Sequence, residues 1–93
     1  MRINLVMKLD SNNNYQVRDI YEASYLLCSG CELLGLDNGQ GFFYFVFNNK
    51  ALCESLQFEY WSGSASVSPK QYAESYKSLK ALVFQKNKEQ RYE

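Results

Sequence analysis

The chain has no histidine among its 93 residues. That absence removes the commonest general base, the commonest metal ligand and the usual proton switch. Net charge is also missing: ten Lys+Arg offset ten Asp+Glu, for a formal charge of zero. A histone-like polycation and an acidic mimic of bulk nucleic acid are both excluded. No run approaches the roughly 20 apolar residues of a membrane span, so no membrane partner is expected. Met1-Arg2-Ile3-Asn4-Leu5 is too short and polar to open a secretory signal, which makes a cytoplasmic location the expectation. Three cysteines, Cys28, Cys31 and Cys53, are too few and odd in number for a closed disulfide framework.

What is plentiful is aromatic side chains, 16% of the chain with eight Tyr, six Phe and one Trp. Rings on this scale fill a thin core, form an interface or stack on bases. Hydrophobic residues at 46% and charged residues at 22% describe one folded domain over residues 1–93, with a polar tail at 87–93 expected to fray.

Local patterns predict an α+β fold, a small antiparallel sheet with helices packed on it, in the order β-α-β-β-α-(β)-α. Ile3, Leu5, Met7 and Leu9 alternate with Asn4 and Lys8, only Val6 breaking the period, and read as a strand; Asp10 to Asn14 reads as a loop. Asp19 with Glu22 fits a capping box for a helix over residues 19–29, with Ile20, Ala23, Ser24 and Leu27 on its inner face and Gly30 as its stop. Leu33–Leu36 and Phe42–Phe47 read as a hairpin around Asp37-Asn38-Gly39-Gln40-Gly41. The second of these strands is apolar on both faces and is expected to be central. Asn48-Asn49 can cap a second helix with Leu52, Cys53, Leu56 and Tyr60 inward and Gly63 at its end. Ser64–Val67 suggests a minor strand. Ser68-Pro69-Lys70-Gln71 then starts a third helix that runs to about Lys86.

Chemistry-bearing motifs are few. Cys28-Ser29-Gly30-Cys31 is a C-x-x-C, but Cys28 falls at a helix C-terminus, where the helix dipole disfavours a thiolate. Cys53 is the one further thiol, and no histidine completes a zinc set, so neither a metal nor a cofactor is expected. Phosphate-loop, dinucleotide and nucleophile-elbow signatures are absent, and a non-enzymatic role follows. Gln40 to Phe47 partly follows the first ribonucleoprotein motif, through Gly41, Phe42, Tyr44 and Phe47.

The third helix carries the clearest functional signal. At about 100° per residue, Tyr72, Tyr76, Leu79, Leu82 and Val83 share one face, and Lys70, Lys77, Lys80 and Lys88 gather on the other. Residues 69–88 hold five lysines against one acid, Glu74, whereas residues 1–47 hold three basic and five acidic groups. Phe84 stands among these lysines. Lys70, Lys77, Lys80, Lys88, Phe84 and Arg18 are therefore the candidate nucleic-acid contacts, the lysines and arginine for phosphates and the ring for a base.

Beyond these local signals, the pattern Tyr15-x-x-Arg18-Asp19-Ile20-Tyr21, Phe43-x-Phe45-Val46-Phe47, Tyr60-Trp61-x-Gly63, Pro69-x-x-Tyr72 and Leu79-Lys80 resembles a small family of unknown function common in bacteriophage and bacterial genomes. The resemblance spans about residues 15–86 and transfers no activity. It implies a phage or mobile-element accessory protein, and so the cytoplasm of a host cell. Two functions remain open at this point. One is a nucleic-acid-binding module, with single strands as one candidate ligand. The other is a protein-interaction module, such as an inhibitor or adaptor of a host protein, with self-association into a dimer expected from the surplus of rings.

Overall fold

The computed structural model describes residues 13–91. Its order is β1 (Asn14–Val17), α1 (Ile20–Cys28), β2 (Leu33–Asn38), β3 (Phe43–Asn48), α2 (Lys50–Ser62) and α3 (Pro69–Arg91). The strands form one antiparallel sheet in the order β1-β3-β2. The α+β expectation holds, and the apolar hairpin strand is central. Strand β3 sits between two strands joined by a helix, which is a split β-α-β arrangement.

Three local readings need correction. The strand expected over residues 3–9 lies outside the described residues. Strand β1 begins at Asn14, the last residue of the segment read as loop, and pairs Tyr15 with Phe47 and Val17 with Phe45. Its four residues are too short for alternation to announce them; cross-strand pairing makes the strand. Ser64–Val67 forms no strand. Its apolar residues Ala65 and Val67 pack against the core from an irregular connection instead. Finally, α3 continues past Lys86 to Arg91, through residues read as tail.

The local stop and start signals operate as read. The Asp19 carboxylate accepts the Tyr21 N–H at 2.9 Å, and Ser68 Oγ accepts the Gln71 N–H at 3.4 Å. Asn49 caps α2 from a left-handed conformation, accepting the Leu52 N–H at 3.2 Å. Gly63 ends α2 at φ 82°, a value that favours glycine.

One face of the sheet carries the core. Val17, Phe45 and Phe47 meet Ala23, Tyr25 and Leu26 of α1, Cys31, Cys53 of α2 and Leu79 of α3. Helix α1 is enclosed, with Glu22 through Leu26 all buried, a wider face than the expected stripe. Leu52 departs from the inner stripe of α2 and is 40% exposed. An extra residue in β2 between Leu33 and Gly35 turns Leu34 outward, which lets Leu33 and Leu36 both serve the core. Helix α3 packs mainly along α1. Tyr21 and Tyr76 stack there at 5.5 Å, and the Tyr72 hydroxyl donates to the Tyr21 carbonyl at 3.1 Å. Among the described residues, no helix is long and apolar enough to cross a membrane.

Candidate functional site

The β1–α1 link, the hairpin loop and the C-terminal half of α3 meet around a cleft of about 830 Å³. Each wall follows from a local feature. Arg18 is the residue before the Asp19 cap, so the start of α1 fixes its backbone. The hairpin loop is tight, with the Gly39 N–H donating to the Phe42 carbonyl at 2.8 Å. Phe42 folds back over Gly39 so closely that a Cβ at that position would collide with the ring. The third wall is a helical row, Lys80, Val83, Phe84 and Asn87, spaced to lie on one side of α3.

Phe42 holds Arg18 by a cation–π contact, the guanidinium carbon standing 3.8 Å from the ring centroid. Tyr44 meets the edge of Phe42 at 5.1 Å and steadies it. On the helix wall, Lys80 Nζ lies 5.7 Å from the Tyr76 ring, which itself stacks on Tyr21 of α1. The two cations thus project from aromatic supports. Ile20, Phe43, Phe45 and Val83 make the floor apolar, and among the described residues no carboxylate lines the cleft. Such a site favours an anion with a flat apolar part.

The predicted residues divide. Arg18, Lys80 and Phe84 come together in the cleft. Lys70, Lys77 and Lys88 do not line it; all three are exposed along α3, with Lys88 Nζ 5.7 Å from the Phe84 ring. Phe84 is 65% exposed and is no part of the core. The ribonucleoprotein-like rings also divide. Phe47 is fully buried, Tyr44 lies on the opposite face of β3 outside the core cluster, and Phe42 turns to Arg18. They do not form a three-ring stacking platform. Sequence reasoning passed over Phe43, Asn38 and Asn87 as cleft residues, and for these no local signal exists.

The cysteines pair otherwise than the C-x-x-C suggests. Cys28 closes α1, its thiol donating to the Tyr25 carbonyl at 3.6 Å. Cys31 and Cys53 are both buried, and the Cys53 thiol donates to Cys31 Sγ at 3.7 Å. Burial, reinforced by Cys31, pushes the Cys53 thiol up to about 12, so both act as packed thiols at neutral pH. Among the described residues no group of three or more His, Cys, Asp or Glu could hold a metal ion.

A buried acid also escaped the sequence reading. Glu22 does not reach back to the cap; it turns inward and accepts the Tyr15 hydroxyl at 3.3 Å. Burial raises its pKa above the ordinary carboxylate value, the Tyr15 hydrogen bond opposes the shift, and the Asp19 charge adds to it.

Residues 12–85, with the cap at Asp19, the hairpin and most of α3, match a family described as a domain of unknown function, DUF5659. The chain belongs to this family. No curated protein and no solved structure matches the chain. The DUF5659 match takes in Arg18, Phe42, Lys80 and Phe84, so most of the cleft is built within the family domain, while Asn87 and Lys88 lie beyond it.

Proposed function

We propose that this DUF5659 chain is a small, non-enzymatic module that binds single-stranded nucleic acid, acting as an accessory protein of a phage or mobile element in the host cytoplasm. Arg18, Lys80 and Phe84 form its centre. Lys70, Lys77 and Lys88 extend the contact along α3, over about 27 Å at the helical rise. The observation that carries this reading is the lining of the cleft, two cations and several rings without a described carboxylate. Phosphates seek the cations, and bases seek the rings. A duplex keeps its base faces stacked, so rings set within a cleft serve an unpaired strand.

The test is fluorescence anisotropy with labelled single- and double-stranded oligonucleotides at two salt concentrations. Single strands should bind more tightly, and each phosphate contact should contribute about 0.7 to the log–log salt slope. Lys77→Glu with Lys80→Glu should nearly abolish binding and leave the melting temperature close to wild type, because exposed charges add little to folding. Affinity unchanged by the double reversal, or no affinity at low salt, contradicts the proposal.

A second reading rests on another surface. Phe58 and Trp61 of α2 are 74% and 65% exposed, which favours a protein partner, either a host protein or a second copy of the chain. Sedimentation equilibrium of the wild type and of Phe58→Ser with Trp61→Ser examines the dimer directly; a wild type that stays monomeric at high micromolar concentration removes it.

A further inference from the structure

We infer that the cleft takes one unstacked nucleotide, its phosphate held between Arg18 and Lys80 and its base laid against Phe84. This rests on the single-strand reading above and adds to it a stoichiometric pocket with assigned roles. Arg18 is the anchor. A guanidinium carried 3.8 Å above a ring is already desolvated on one side and restrained, while its N–H fork remains for an anion. Phe42 is the positioning residue for that fork, and Gly39 is what lets the ring sit close. Lys80 and Phe84 lie one helical turn apart, about 6 Å along the axis, a step suited to a phosphate and its own base. Phe84 is 65% exposed, so it has ring surface to offer. Asn87, the next residue on that row, brings an amide that can donate to and accept from a base edge. The charge pattern selects the ligand: two cations face an opening with no described carboxylate, so a neutral nucleoside or an apolar peptide would leave them unanswered.

Isothermal titration calorimetry and amide chemical-shift mapping on the full chain test this, with a 5′-mononucleotide, the matching nucleoside, inorganic phosphate and a short poly-aspartate peptide as probes. The mononucleotide should bind saturably at one site, more tightly than the nucleoside or phosphate, with shifts at Arg18, Phe42, Lys80 and Phe84. Arg18→Gln and Lys80→Gln should each weaken the mononucleotide by roughly tenfold, as loss of a charge-assisted bond does, and leave nucleoside binding unchanged. Phe84→Ala should weaken mononucleotide and nucleoside alike by roughly 5- to 150-fold. Phe42→Leu should reproduce the Arg18→Gln pattern, since it removes the support and keeps the charge. Oligonucleotide binding that survives Arg18→Gln and Phe84→Ala, with no mononucleotide bound, overturns the pocket and leaves the lysine row of α3 as the binding surface. A mononucleotide bound in this way without any oligonucleotide binding supports the pocket and overturns the single-strand reading. A poly-aspartate peptide that matches the mononucleotide overturns the inference in favour of an acidic protein partner.

Discussion

Helices α1 and α3 lie against each other and are stabilised in opposite ways. The nine residues of α1 include five consecutive buried ones, Glu22 to Leu26. A helix so short does not persist alone in water, so packing holds it. The 23 residues of α3 bury Leu79 alone among their described side chains. Lysine, alanine, leucine, glutamate and glutamine supply its helical preference, and a Ser68 cap with Pro69 at the first position starts it. A helix held by propensity and a few anchors can spend the rest of its surface on ligand contacts. A helix enclosed by the core cannot. That difference explains why the candidate site draws Lys80, Phe84 and Asn87 from α3, and from the α1 side only Ile20 at its first turn and the Arg18 that precedes it.

Substitutions can break or sharpen this contrast. The largest effect belongs to α1: Leu26→Ala, at a fully buried position, should cost about 2–5 kcal/mol in urea or guanidinium unfolding. A loss no greater than that of an exposed α3 residue would break the contrast outright. Glu22→Gln should act in the opposite direction. Its pKa is raised in the fold, so the native state holds the proton more tightly than the unfolded chain. Wild-type stability should therefore fall as pH climbs from the ordinary carboxylate value through the raised native one. Glutamine carries no such charge, and it still accepts from Tyr15. The variant's melting temperature should exceed wild type at pH 7, with the gap closing toward the acid side of the carboxylate range. A gap that widens on acidification would reverse the assignment.

Smaller effects come from the seam between the helices. Tyr72→Phe removes the hydroxyl that donates to the Tyr21 carbonyl and should cost about 0.5–1.5 kcal/mol by thermal or chemical unfolding. The smallest effect is expected at Phe84. Its removal to alanine should change stability by no more than about 0.5 kcal/mol, because the ring is exposed and outside the core. A large loss there would make Phe84 structural and withdraw it from the ligand site.

How much of this was legible depended on range. Asp19, Gly30, Asn49, Gly63 and Ser68-Pro69 marked helix ends correctly because each acts through hydrogen bonds to residues a few positions away. Strand β1 was not legible, since Tyr15 and Val17 acquire strand structure only by pairing with Phe47 and Phe45. The Cys31–Cys53 contact was hidden for the same reason, because packing alone joins two thiols 22 residues apart. Glu22 looked like half of a capping box, and its spacing from Asp19 gave no hint that Tyr15 would claim it instead.

The candidate site shows the same division. Composition and helical periodicity alone placed Lys70, Lys77, Lys80 and Lys88 on one side of α3, with Phe84 among them and the apolar anchors opposite, because a 3.6-residue period is a property of the local backbone. Only the tertiary structure decided that Lys80 and Phe84 share a cleft with Arg18 and Phe42 while Lys70 and Lys77 stand apart from it. The physical reason is that a cation meets a ring, or a thiol a thiol, by the closing of the sheet and the packing of α3 on α1, and those contacts join residues whose separation along the chain carries no periodic trace.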